Sequence, residues 1–143
     1  AERLIEFFLK FNKKHQYFLR QTALRVPRSF IDPSRPMDED ELALEALSNG
    51  LYELQLIVVC LAAVCSRSRK VLERCEMQLK MNGTSIPQLR VILHGFADSL
   101  GDGEDDPKVR DQKKYLTRLH GDFKSLDELK ADAARREQLR LDK

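Results

Sequence analysis

The stretch LEALSNGLYELQLIVVCLAAVCSRSRKVLERCEMQL, residues 44–79, decides the fold. Taken in alternating steps of three and four, it yields Leu44, Leu47, Leu51, Leu54, Val58, Leu61, Cys65, Ser68, Leu72, Cys75 and Leu79. That spacing returns each side chain to one stripe of an α-helix, and ten of the eleven positions are apolar or cysteine. Between Leu54 and Cys65 the polar faces vanish as well, and a helix that is apolar all round has to be surrounded by protein. The pattern predicts the central helix of a bundle. Asn49-Gly50 interrupts it, yet the stripe passes from Leu47 to Leu51 in phase. The reading is therefore one continuous helix from Asp38 to Met81, with a glycine costing about 1 kcal/mol. Such a helix would be ~66 Å long at ~1.5 Å per residue.

Around this centre, 143 residues are enough for one domain with its own core, without disulfides or metals. A hydrophobic share of 42% and a charged share of 34% suit a charge-coated helical protein. Six glycines, five prolines and no tryptophan, with no alternating β-branched runs, leave little material for a sheet. The formal net charge of +2 predicts no electrostatically driven partner by itself. Cys60, Cys65 and Cys75 are odd in number and lack CxxC spacing. On one straight helix they could not reach one another, so they read as small core residues of a reducing compartment. The apolar run around Val58 includes Glu53 and Gln55 and falls short of the ~20 residues a bilayer requires, so it reads as core. Helix-like sequence begins at once, without an initiator Met, signal peptide or presequence. These features predict a fragment of a longer intracellular protein, cytoplasmic or nuclear.

The first helix is expected over about residues 2–24, on a stripe of Leu4, Phe8, Phe11, His15, Phe18 and Thr22. His15 reads as a hydrogen-bonded boundary residue. Pro27, Pro33 and Pro36 exclude helix from Val26 to Met37. Phe30 and Ile31 are expected to pin that segment to the bundle, and Ser29 and Ser34, each beside an arginine, are its candidate phosphorylation points. Asp38, Glu39, Asp40 and Glu41 supply the negative charge a helix start favours. Asn82-Gly83 ends the central helix as a C-cap; Asn82-Gly83-Thr84 also fits a glycosylation sequon, read as coincidence without a secretory signal. Ser85 and Pro87 open a third helix over about 86–99, in which His94 lies beside the apolar stripe. The acidic segment Gly101–Asp106 resembles a calcium loop only in composition, since its aspartates do not alternate in the required frame. Asp106-Pro107 starts a last helix over about 107–141, which can restart at the capping box Ser125 to Glu128.

No arrangement for enzymatic chemistry is present. The histidines stand singly, no nucleophile turn accompanies them, and no CxxC, HxxxH, HExxH or Glu-x-x-His spacing offers a metal site. No glycine-rich loop could cradle a phosphate-bearing cofactor. The sequence predicts no catalytic residue, no cofactor and no resident metal.

The expected architecture is all-α: an elongated four-helix bundle with a long central helix and coiled-coil-like packing. A central helix longer than its neighbours leaves apolar surface for a protein partner or a second copy. The expected function is therefore assembly, through Leu44, Leu47 and Leu51 at one end or Leu72, Cys75 and Leu79 at the other, with Phe30 and Ile31 in the loop. The alternative is contact with nucleic acid or an acidic membrane through Arg67, Arg69, Lys70, Arg74, Lys113, Lys114 and Arg118. Interleaved acidic residues such as Glu73, Glu76 and Asp111 weigh against that alternative.

Overall fold

The computed structural model describes residues 2–101 and 105–142, and every regular element among them is helical. In chain order these are α1 (Glu2–Leu24), α2 (Glu39–Ala46), a kinked junction (Leu47–Leu51), α3 (Tyr52–Arg67), α4 (Arg69–Met81), α5 (Ile86–Ser99), α6 (Pro107–Asp122) and α7 (Leu126–Leu141). The segment considered for calcium falls largely on residues 102–104, outside the described residues.

The continuous helix expected over 38–81 is broken twice. At Asn49 and Gly50 the backbone leaves helical geometry, with φ −111° and ψ 38° at the first and φ 104° and ψ −16° at the second. Only glycine adopts the latter without strain. At Ser68 the chain is extended (φ −139°, ψ 115°), and its hydroxyl accepts the Val71 amide at 3.3 Å, as an N-cap does. Ser68 was the one polar member of the stripe, and here it opens a new helix instead. The last expected helix also divides, at Phe123, before Ser125 caps α7 by accepting the Glu128 amide at 3.2 Å. Four helices with an unbroken central member are thus not what the chain forms.

By length and composition the run Glu39–Arg67 could cross a membrane. The break at Asn49 and Gly50 leaves helices of eight and sixteen residues. The longer spans ~24 Å, short of a ~30 Å hydrocarbon core.

The chain divides into two compact units, Glu6–Ile57 and Ala1–Ile5 with Val58–Lys143. In the first, Phe8 and Leu54 are fully buried with Met37 and Ala46 close to it. Gly50 lies against α1, where an added Cβ would sit 3.2 Å from the Phe11 carbonyl oxygen and 3.3 Å from the Lys14 Cβ. His15 is half-buried and its Nδ1 has no hydrogen-bond partner. Burial holds its pKa below the ordinary histidine value.

In the second unit the stripe residues Val58, Leu61, Cys65, Leu72, Cys75 and Leu79 are buried, together with Ile86, Leu89, Leu93, Leu116, Leu119 and Phe123 from α5, α6 and the α6–α7 turn. The break at Ser68 lets Cys65 and Cys75 meet, contrary to the straight-helix expectation. The neighbouring Cys75 thiol, together with burial, pushes the Cys65 thiol up. α4 ends in a Schellman motif: the Gly83 amide reaches the Lys80 carbonyl at 3.2 Å and the Thr84 amide the Leu79 carbonyl at 2.9 Å. Ser85 stands at the α5 N-cap, but its side chain makes no capping bond. Buried Glu76 of α4 accepts the Leu126 amide at 3.1 Å, and Arg90 of α5 meets both Glu128 oxygens at 3.1 and 3.2 Å, so a charge-assisted hydrogen bond and an ion pair position α7.

Candidate interaction surfaces

The loop between α1 and α2 is built by its prolines and by one buried carboxylate. The Ser29 amide reaches the Arg35 carbonyl at 3.1 Å and the Met37 amide the Pro27 carbonyl at 2.9 Å, so the segment folds back as a short antiparallel pair around Arg28 and Pro36. Asp32 turns the tip, its carboxylate accepting the Ser34 amide at 3.0 Å and its carbonyl the Arg35 amide at 3.1 Å. The Ser29 hydroxyl accepts the Ile31 and Asp32 amides at 3.1 and 3.2 Å, and donates to Glu41 at 2.9 Å. The other Glu41 oxygen takes the Phe30 amide at 2.8 Å, and the Arg35 guanidinium lies 3.0 Å from the first.

Glu41 and Ser29 are therefore the pins of the loop, in place of Phe30 and Ile31. Both of those side chains point outward, 65% and 83% exposed. Ser29 is buried and its hydroxyl is engaged, which removes it as a phosphorylation point; Ser34 is exposed, with its hydroxyl bonded to Asp32.

Burial raises the Glu41 pKa, but the Ser29 hydroxyl, the Phe30 amide and the Arg35 guanidinium together outweigh it and hold the carboxyl below the ordinary glutamate range. A carboxyl with a depressed folded-state pKa contributes stability above its unfolded value, about 4.3, and that contribution is lost as pH falls through the folded value. The loop is thus expected to stay closed at neutral pH and open only in acid. Glu41→Gln should open it at neutral pH as well, seen as faster amide exchange at Phe30 and Ile31 with helical circular dichroism unchanged.

Of the predicted apolar interface, Leu44 is 63% exposed, while Leu47 and Leu51 are half-buried on either side of the backbone break. Leu72, Cys75 and Leu79 are core residues and cannot contact a partner. The expectation that α3 is surrounded also fails: Tyr52, Leu56, Cys60 and Val64 form an exposed strip along it. Hydrophobicity on all sides concealed that strip, since nothing in the sequence marks which side is open.

The predicted basic patch separates into two groups. Arg69 pairs with Glu73 at 3.9 Å and Arg74 with Glu2 at 3.8 Å; Lys70, Glu73 and Arg74 border a hollow that also contains Val71 and Met77. Arg67 and Arg118 instead face a cleft of about 320 Å³ between α3 and α6, lined also by Ala63, Ser66, Tyr115, Leu119 and Asp122. Arg118 borders a second groove with Arg110, Lys113, Lys114 and Thr117. On α5, His94 lies 5.5 Å from His120 of α6 between ring centroids, beside Arg90. Burial, then Arg90 and His94, lower the His120 pKa. That pairing of single histidines was invisible in the sequence. Among the described residues no three His, Cys, Asp or Glu side chains converge as a metal site would require.

The family model described as catenin-beta-like, Arm-motif containing nuclear, matches residues 1–94. Beta-catenin-like protein 1 of Bos taurus and that of Mus musculus are each 36% identical over 84 residues, 57% of this chain and 15% of theirs. The Homo sapiens protein of that name is 35% identical over 81 residues, 54% of this chain and 14% of its own. The chain thus spans about 15% of the length of these curated relatives. No solved structure matches.

Proposed function

The chain belongs to the catenin-beta-like, Arm-motif containing nuclear family, and from that premise we propose that it is a non-enzymatic assembly segment that pairs with a second copy through the tip of the α1–α2 loop. Arm-type repeats are helical units that bury one face on their neighbours and offer another for binding, which makes protein contact the natural task of such a segment. The observation that carries the reading is the outward display of Phe30 and Ile31 on a backbone held by Glu41 and Ser29. Ordering this loop costs conformational entropy and spends a buried carboxylate, yet its two large apolar side chains add nothing to the core.

Leu24 and Val26 are exposed at the entrance of the same loop and extend the apolar surface. Leu44 supplies the remaining helical part of the contact, and coiled-coil-like packing is confined to that flank. A near-neutral charge of +2 permits two copies to approach without strong repulsion. The family's nuclear description agrees with the intracellular setting read from the cysteines.

Sedimentation velocity over a concentration series, in low and high salt, tests the proposal. Reversible, salt-insensitive association is expected for the native chain and should be lost in the double variant Phe30→Ser, Ile31→Ser. A strict monomer at every concentration would overturn it.

A further inference from the structure

We propose that the surface shared by α3 and α6 binds a single-stranded nucleic acid, with Arg67 and Arg118 holding phosphates across the cleft and Tyr115 stacking on a base. The two depressions have Arg118 in common, so cleft and groove adjoin at that side chain. Arg110, Lys114 and Arg118 recur every fourth residue on one face of α6, a cation for each ~6 Å of helix. Arg67, Arg110, Lys114 and Arg118 have no ion-pair partner among the described residues, in contrast to Arg69 and Arg74. Among the described residues, Asp122 is the one acidic group lining the cleft.

Tyr115 turns a merely basic surface into a particular one. It is 43% exposed and lines the cleft together with the two arginines. A basic track with an aromatic platform is what single strands require, because their unstacked bases offer a ring face to it. A lone phosphate group would need one arginine fork rather than a row of cations, and a membrane surface would need apolar groups to insert beside the charges. The α6 half of this surface lies beyond residues 1–94, and nothing here depends on self-association through the loop.

The test is fluorescence anisotropy of the full 143-residue chain with a labelled oligouridylate of about 12 nucleotides, within the usual single-strand site range. With three or four phosphates neutralised, log K should fall with log salt at a slope of roughly −2 to −3. Arg67→Ala with Arg118→Ala should weaken binding about tenfold or more and reduce the slope by roughly 1.4. Tyr115→Ala should weaken it about tenfold with the slope kept, whereas Tyr115→Phe should bind as the native chain does. Lys114→Glu, on the exposed face of α6, serves as the second variant should the arginine pair lose helical circular dichroism. The proposal is overturned if no binding occurs at low salt, or if the arginine pair variant, Lys114→Glu and Tyr115→Ala all bind like the native chain. It is equally overturned if duplex DNA of the same length or anionic phospholipid vesicles bind as tightly with no dependence on Tyr115.

Discussion

Gly50→Ala is expected to lower the stability of this chain by about 3 kcal/mol, an effect far beyond that of an ordinary glycine-to-alanine change. Two costs add. At φ 104° an L-residue is strained by roughly 1–3 kcal/mol. The new methyl would also stand 3.2 Å from the Phe11 carbonyl oxygen and 3.3 Å from the Lys14 Cβ, too close unless α1 moves away. At this chain length the melting temperature should fall by about 10 °C. Gly95→Ala supplies the opposite sign: Gly95 lies inside α5 with nothing within 4 Å of its would-be Cβ, so alanine should stabilise by up to about 1 kcal/mol. Thermal melts of the two variants check both. Equal, small effects would mean that Gly50 is an ordinary helical glycine and that the central helix is continuous after all.

Leu79→Ala should cost about 2–5 kcal/mol and leave association unchanged. Leu79 is fully buried, next to the equally inaccessible Leu72 and Cys75 on the same stripe. Truncating it removes burial and leaves a cavity that the surrounding helices fill only in part. Were Leu79 part of an interface between copies, the same change would weaken the dimer and spare the folded chain. The double variant at Phe30 and Ile31 should show the reverse pattern, because those side chains are exposed and support no core. Urea unfolding read beside sedimentation separates the two behaviours.

The contrast shows what residue patterns can and cannot carry. α1 and α5 run where three-four periodicity and, for α5, Pro87 in the first turn place them, because their determinants lie within the helices themselves. The break at Gly50 leaves no trace in that periodicity: Leu47 and Leu51 stay four residues apart whether the glycine is helical or not. What compels the turn is the close approach of α1, a contact between residues about forty apart in the chain. Ser68 did leave a signal, as a lone serine in an apolar stripe, but serine is common enough in helices that the longer pattern outweighed it. In the loop, the prolines revealed that no helix could form; the pairing of Ser29 with Glu41, twelve residues on, determined which side chains face out. Arg67 and Arg118 met only once α3 and α6 were placed, whereas Arg69 and Arg74 proved to be spoken for by glutamates.

The most direct test of the central claim, that the loop tip is where two copies meet, is site-specific photo-crosslinking of the purified chain. A benzophenone side chain would replace Ile31 in one sample and Tyr115, exposed on the α6 surface, in another. A covalent dimer is expected from position 31, diminished when unlabelled native chain competes, and none from position 115. A dimer from position 115 with none from position 31, or no dimer from either at concentrations of tens of micromolar, would contradict it.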